Sequence, residues 1–344
     1  MVGKKKQKIM DLFEFVSLHN KLPERGQVYR ETKVYQIYQS IRYRKTYREF
    51  WNKLREHPLL SEMIDGCLIS DSKQIEKTPV SCVDIPSRKN ILESTEYVNE
   101  LYEMYKTKES SSMNISLDVL EMESSRIDFS MRAILVDWLV QIHHHFEFVP
   151  ETLYLAVNIL DRFLSLKTLS ITKTKLQCVG ITALFIASKY EEICPLSIQN
   201  ILHLTTFSKD YILKTENEIL FTLEFKITVV TPYVFLLRFL KAAHADKRMT
   251  NLASYLLEKT LQEKCYNLYS PSMLAATSVA LALQTIRQGQ WTRTLKDYTK
   301  YEIEELNACK RHITFISRKK IPKLRTVENK YMSKKFYAVS RIEI

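Results

Sequence analysis

Apolar residues recur every three to four positions along most of the chain from Glu96 to about Arg318, the spacing of helices that bury one face. Tyr97, Val98, Leu101, Tyr102 and Tyr105 predict a first helix. Longer periodic segments follow at 131–148, 151–166, 174–192 and 209–223, and a second series occupies 232–244, 249–266, 272–287 and 302–317. Pro150, Pro232 and Pro271 stand where first helical turns are expected, a position at which the missing N–H costs nothing. Thr231 and Ser270 precede two of them as candidate caps.

The two series repeat each other. In the second helix of each, Leu155, Ala156, Leu160, Asp161, Arg162 and Leu164 match Leu252, Ala253, Leu257, Glu258, Lys259 and Leu261 at a constant offset of 97. In the third, Thr182 and Ala187 match Thr277 and Ala282 at an offset of 95. Such a period exceeds the ~20–50 residues of solenoid repeats and predicts two tandem domains of one all-α fold. The runs CVGITALFIA (178–187) and MLAATSVALAL (273–283) are apolar all round, so each of these third helices must be surrounded by others. Gly180, Ala183 and Ala187 share a face on which a neighbour can approach closely. Each domain is expected as a bundle of about five helices built around its third.

Composition narrows the chemistry. Five glycines in 344 residues disfavour turn-rich β-architectures and glycine-rich phosphate loops. No run approaches the ~18 apolar residues of a membrane span. The opening MVGKKKQKIMDLFEF lacks the apolar stretch of a signal peptide, so a soluble intracellular protein with no membrane partner is expected. Cys67, Cys82, Cys178, Cys194, Cys265 and Cys309 form no C-x-x-C pair and read as reduced thiols, with no metal site. His143, His144 and His145 would fan over roughly 200° of a helix. They cannot share one metal ion, and read as a solvated helix end. No nucleotide, hydrolase or metalloprotease motif is present; no cofactor and no catalytic role are expected.

The net charge of +12 is unevenly placed: residues 1–60 carry +8, 310–344 carry +9, and 61–309 carry −5. Residues 1–65 read as a basic, aromatic helical extension, with one helix over Tyr35–Leu54. It suits either nucleic-acid contact through phosphates and stacking or a small module with its own aromatic core. Residues 66–95, with Pro79, Pro86 and a candidate phosphosite at Thr78, read as a linker. The bundles are then 96–228, including the preceding helix, and 229–318, followed by a basic tail over 319–344. Lys4–Lys6 and Arg318–Lys320 suit nuclear import or nucleic-acid contact.

A few residues stand out within the helical core. Met131, Leu135, Trp138 and Ile142 form a stripe with Val136, Leu139 and Val140 beside it; either the helix is deeply buried, or Met131, Ile134, Leu135 and Trp138 partly face a partner. Arg132 and Asp161 are charges in apolar helices, costly to bury unless paired, and are expected to pair across the first two. Lys189, Glu191 and Glu192 end the third helix, and Glu216 and Glu218 lie in the fifth. They read as a solvated cluster or as a contact for a partner.

MRAILVDWL (131–139), LAVNILDRFLS (155–165), LQCVGITALFIASKYEEI (176–193) and TPYVFLLRFLKAA (231–243) resemble the cyclins, specifically the B-type mitotic cyclins, over residues 95–318. The resemblance implies two cyclin boxes and a regulatory subunit that forms a heterodimer with a cyclin-dependent protein kinase, activates it and controls the cell cycle at G2/M in the nucleus and cytoplasm of a eukaryotic cell. It implies that Lys189 and Glu216 anchor the kinase's C-helix, with Tyr190, Ile193, Leu220, Phe225 and Ile227 lining an apolar receiving surface and helix 96–109 packing on the kinase as well. It also implies a patch of Met131, Ile134, Leu135, Trp138 and Gln177 for Arg-x-Leu segments of substrates or inhibitors. That favours partner contact for the first helix's exposed edge. Arg132–Asp161 is similar to the family's structural ion pair.

The chain also departs from the family. Glu191-Glu192-Ile193-Cys194-Pro195-Leu196 stands where Glu-Glu-x-Tyr-Pro-Pro is usual, and Gln141 stands where cyclin A-like members have Glu. No Arg from 25 to 126 has Leu three residues on, so the destruction box of mitotic cyclins is missing from that stretch. Residues 9–56 resemble basic helical segments of large DNA viruses, leaving a cellular or a viral source, and hence a host cell, open. The rival reading is a DNA-binding protein with tandem cyclin folds similar to transcription factor IIB. That family expects a zinc ribbon, which Cys67 and Cys82 cannot make.

Overall fold

The computed structural model describes residues 97–344 apart from 113, 114, 123, 124, 288 and 320. All of these belong to the second of two units, Ser81–Ile344. The expected extension 1–65, the linker 66–95 and Thr78 lie outside the described residues.

Among the described residues there are twelve α-helices and no strand. Helix α1 is Val98–Ser112. Five helices follow: α2 (Phe129–His145), α3 (Pro150–Lys167), α4 (Lys173–Glu191), α5 (Ile198–Leu204) and α6 (Lys209–Thr222). Five more repeat them: α7 (Pro232–Ala242), α8 (Lys247–Thr260), α9 (Pro271–Arg287), α10 (Arg293–Thr299) and α11 (Asn307–Arg318). Helix α12, Thr326–Met332, comes last.

The starts follow capping chemistry. The side chains of Asp128, Thr172, Ser197, Ser208, Asp246 and Thr292 accept from N–H groups of the first turns they precede, satisfying donors that have no intrahelical partner. Pro150, Pro232 and Pro271 are first residues of their helices. Ser270 caps α9 through Met273 N (3.2 Å), whereas Thr231 makes no side-chain cap bond.

The central helices are α4 and α9. Cys178 through Ser188 are all buried, as are Leu274 through Leu283. Helix α4 packs on α2, α3 and α6, and α9 on α7, α8, α11 and α1. Gly180 permits the close approach of α2 to α4: a Cβ there would lie 2.7 Å from Leu135 Cδ1. Alanine in a helix is favoured over glycine by about 1 kcal/mol, but overpacking a core costs about 1–3 kcal/mol. Leu135 is itself buried and has little room to yield. Gly180→Ala is therefore expected to lose about 1 kcal/mol in urea denaturation, and adding Leu135→Val to relieve part of that loss.

Helix α1 is tied to the second bundle. Tyr102 Oη donates to Val234 O (3.0 Å), and Arg238 stacks on the Tyr102 ring at 4.2 Å while donating to Asn99 Oδ1. Glu109 accepts from Ser272 N (3.0 Å), placing a carboxylate on the positive end of α9. Tyr97, Leu101 and Met104 remain exposed on its outer side.

The segment 319–344, expected as a basic tail, is instead folded onto the bundles. Val327, Tyr331 and Val339 are buried, and α12 packs on α2 and α8. Asp137 of α2 accepts from Thr326 N (3.0 Å) and Thr326 Oγ1 and from Gln262 Nε2 (2.7 Å), so it caps α12 from another element. Lys330 and Tyr331 both reach the Glu258 carboxylate of α8, at 2.7 and 2.9 Å. Val327 and Tyr331, four apart on one helical face, together with the Lys330–Glu258 pair account for the segment's attachment.

Candidate functional site

Helix α4 emerges from the core with Lys189 as its first exposed residue after Ser188. The Lys189 ammonium pairs with the Glu216 carboxylate of α6 and lies 4.1 Å from the centre of the Phe185 ring. The Lys189 side chain is 41% exposed and that of Glu216 10%, so Glu216 positions the cation and Lys189 presents it. The Tyr190 hydroxyl bonds Thr228 Oγ1, and Phe221 meets Phe225 edge-on with centroids 5.3 Å apart.

Phe225 is placed by the way α6 stops. Its N–H bonds Leu220 O (2.9 Å) and that of Glu224 bonds Phe221 O (3.1 Å), the paired pattern of a Schellman turn. Glu224 and Phe225 are both left-handed, with φ of 52° and 56°. Non-glycine residues pay for that conformation, and such strain concentrates at functional sites. Arg162 of α3 donates to Lys226 O (2.7 Å) and pins the turn so that Phe225 points outward.

Of the residues expected on this surface, Lys189 and Glu216 are in contact, Tyr190 and Phe225 are exposed, and Ile193 and Leu220 are half-buried. Ile227 is buried and packs into the core, so it supports the surface without lining it. Phe221, 71% exposed, went unnoticed in the sequence. A phenylalanine at the polar end of an amphipathic helix, four residues before Phe225, was the available signal.

The acidic residues at the end of α4 have separate roles. Glu192 is buried and accepts from Val149 N (2.6 Å) and Thr152 Oγ1 (2.9 Å), which caps α3, whose own cap residue Val149 has no acceptor. The reading of Glu192 as solvated is thereby corrected. Glu191 keeps an open surface, yet burial of its carboxyl together with the Glu151 and Glu192 carboxylates pushes it up to about 7. In the divergent stretch after it, Cys194 is exposed, while Leu196 is buried and donates its N–H to Ser188 Oγ (3.1 Å).

The expected patch on α2 is graded across the helix face. Leu135 is buried against Gly180, Met131 and Trp138 are half-buried, and Ile134, Gln141 and Gln177 are exposed. Successive residues turn by about 100°, which orders the side chains Leu135, Met131, Trp138, Ile134 from core to solvent. Leu135 is therefore a core residue and cannot offer docking surface.

Arg132 and Asp161 are both fully buried and joined twice, Nε–Oδ1 and Nη2–Oδ2 each at 2.6 Å. Arg132 Nη1 also donates to Leu261 O (3.0 Å), and Asn267 Nδ2 to Asp161 Oδ2 (3.0 Å). The second bundle thus completes a pair made in the first.

His143 is likewise not a solvated helix end. It is buried, Nε2 donates to Val149 O (2.9 Å), and Nδ1 has no partner. Burial, reinforced by the Lys330 ammonium, pulls its pKa from 6.5 to about 4. The unfolded chain therefore takes up a proton that the folded chain refuses, so stability is full above pH 6.5 and falls as the pH drops toward 4. Relative to His143→Gln, the wild type is expected to lose about 2–4 kcal/mol between pH 7 and pH 4, read by urea melts at each pH. Among the described residues no group of His, Cys, Asp or Glu could hold a metal ion, and no helix is long and apolar enough to cross a membrane.

Two tandem five-helix bundles of one pattern, each built around a buried third helix, define the cyclin fold. The chain belongs to the cyclin family: residues 100–228 match the cyclin N-terminal domain and 230–344 the cyclin C-terminal domain. It is similar to Cyclin-B2-1 of Oryza sativa subsp. japonica, 38% identical over 284 residues, which cover 81% of this chain and 66% of the relative. It is 42% identical to Cyclin-B1-3 of Arabidopsis thaliana over 254 residues, 72% of this chain and 60% of that one. The G2/mitotic-specific cyclin S13-6 of Glycine max is 40% identical over 259 residues, 74% and 56% of the two chains. The chain thus spans under two thirds of the length of these B-type relatives. A viral cyclin from herpesvirus saimiri shares the fold, with a TM-score of 0.54 at 22% identity over 62% of this chain and 96% of that one.

Proposed function

We propose that this chain is the regulatory subunit of a cyclin-dependent protein kinase, supplies no catalytic group itself, and acts at G2/M in the nucleus and cytoplasm of a eukaryotic cell. The observation that carries this reading is the Lys189–Glu216 pair, with the Phe185 ring against the lysine and exposed Tyr190 next to it in the chain, in a chain of the cyclin family. An ion pair beside exposed aromatic surface suits a partner helix that offers both backbone polar groups and apolar side chains. The outer side of α1, with Tyr97, Leu101 and Met104, extends the same apolar character. A subunit that binds the active arrangement of the kinase better than the inactive one shifts the population toward it. The active arrangement has the C-helix rotated inward, completing the Lys–Glu pair that positions ATP phosphates.

Met131, Trp138, Ile134 and Gln177 recruit Arg-x-Leu segments in this reading, with Leu135 beneath them. Gln141, neutral where a carboxylate would attract the arginine, makes that attraction weaker. The basic residues of 1–65 and 319–344 serve nuclear import or nucleic-acid contact. The transcription-factor alternative is not favoured, because the relatives are B-type cyclins.

The test is a panel of purified cyclin-dependent kinases assayed with and without the full chain. At least one member is expected to form a stable heterodimer and to gain at least about tenfold in peptide phosphorylation. Failure across the panel refutes the proposal. With the cognate kinase in hand, Trp138→Ala is expected to reduce phosphorylation of an Arg-x-Leu substrate about tenfold while leaving a minimal peptide unaffected. An equal fall for both would make the patch structural.

A further inference from the structure

The first turns of α2, the turn after α8 and the second half of α11 enclose a groove of about 590 Å3, within the range of ligand-sized clefts. It lies on the side of α2 turned away from Leu135 and involves none of the proposed kinase contacts. Its floor is apolar, with Ala133, Cys265 and Ile316 all buried. The Cys265 thiol, pushed up to about 12 by burial, serves as apolar filling and not as a nucleophile.

The walls are what the fold leaves unexplained. Leu268 and Phe315 are 62% and 66% exposed and face this one groove, with Ile134 of the α2 patch at its edge. Cys309, Ile313 and Ile316 fill the core from α11, and Phe315 is turned about 120° from Cys309 around the helix, so it does nothing for the core. It also continues the internal repeat: Phe315 follows Phe221 by 94 positions, as Ile313 follows Ile219. Each bundle's fifth helix ends on one exposed phenylalanine. The two settings differ in charge, because Glu216 becomes Lys310 at the same offset.

The groove itself is rimmed by Lys264, Lys319, Lys323 and His312. Its one lining acid, Glu263, lies 3.5 Å from Lys319, and Lys264 is engaged by Glu121 from outside the groove. Lys323 is left without a carboxylate among the described ion pairs, so the rim of the apolar trough keeps a net positive charge. Such a site attracts an occupant that is apolar in the middle and acidic at its ends. A basic Arg-x-Leu segment would be repelled, which separates this groove from the neighbouring Met131–Trp138 patch.

We propose that this groove docks a short acidic-apolar segment of a partner protein. Its apolar side chains rest on Leu268 and Phe315, and its flanking carboxylates or phosphates meet Lys319 and Lys323. Recognition is by apolar anchors at short spacing, the mode in which peptides fill grooves on helical proteins.

Fluorescein-labelled peptides of about ten residues, the length of short groove-bound segments, test this against the purified full chain. Each carries two Leu or Phe anchors flanked by Asp and Glu, by phosphoserine, or by Lys in a control set. Fluorescence anisotropy is expected to show acidic or phosphorylated members binding at about 10 μM or tighter, and the two arms tell carboxylate from phosphate recognition. Phe315→Ser and Lys323→Glu should each weaken binding at least about tenfold. An unlabelled Arg-x-Leu peptide should not displace the probe. Both substituted residues are exposed, and circular dichroism checks that the variants fold; should Phe315→Ser not fold, Lys323→Glu decides alone. The proposal is overturned if no acidic member binds, if Lys-flanked peptides bind equally, if the folded variants bind as the wild type does, or if the Arg-x-Leu peptide competes. A dimer in light scattering that Phe315→Ser dissolves would assign the groove to a second copy and overturn it as well.

Discussion

Asp161→Ala is expected to lower the thermal midpoint by roughly 6–20 °C, taking about 3–5 kcal/mol for an uncompensated buried charge and about 2–4 °C per kcal/mol in a domain of this size. The magnitude follows from what is left behind. Arg132 is fully buried, its guanidinium cannot give up a proton, and Asp161 is its only carboxylate partner among the described hydrogen bonds. The remaining bond to Leu261 O is a hydrogen bond to a dipole and does not neutralise the charge. A net stability of about 5–15 kcal/mol would lose a large fraction to one substitution. Replacing both residues by apolar ones of similar volume, Arg132→Met with Asp161→Leu, should recover most of the loss, since a well-packed apolar pair often matches a buried ion pair. A single variant that melts within about 2 °C of the wild type, equivalent to under about 1 kcal/mol, would show that the charge finds compensation elsewhere.

Lys189→Ala combined with Glu216→Ala should reduce kinase activation by at least about a hundredfold, equivalent to about 2.7 kcal/mol of binding, while the helical circular dichroism is retained. The two expectations have different physical sources. In the free chain the pair is half open to solvent, and such pairs contribute about 0–1 kcal/mol to stability. In a complex the same groups would be desolvated, where truncation of one partner costs about 2–5 kcal/mol. Glu216 and the Phe185 ring already fix the Lys189 ammonium, so little side-chain freedom remains to be lost on docking. Lys189→Ala alone should be the worse single change, because it strands the mostly buried Glu216. Activation unchanged in the double variant would remove the pair from the interface.

The sequence pattern carried the architecture further than it carried the surface. Helices α2, α3, α4, α8 and α9 are long enough to show several turns of apolar periodicity, and the repeat offsets of 97 and 95 correspond to α3 with α8 and α4 with α9. Helices α5, α10 and α12 have seven residues each, too few turns for periodicity to stand out from a loop. Basic residues hid α12, because periodicity reports the buried face while net charge reports the other. At the site, Lys189 and Glu216 were legible through their motif, but burial within a motif was not. Leu135 and Ile227 stand among surface residues in sequence and are turned inward by the close approach at Gly180 and by the turn after α6. Glu192, His143 and Asp137 escaped for a common reason. Each satisfies or contacts backbone groups of another element, a relation that spacing along the chain cannot reveal.

The capping of α12 by Asp137 has a consequence for the order in which the protein is made. Thr326 follows Asp137 by 189 residues, which at typical synthesis rates means roughly 10–40 s between the two leaving the ribosome. Until residue 262 is made, α2 carries an acid with neither Gln262 nor Thr326 to meet it, beside an Arg132 still waiting for Leu261 and Asn267. The first bundle therefore cannot reach its final packing until the second has been translated. A nascent chain stalled before Thr326 would be held incompletely folded at its beginning, not only at its growing end.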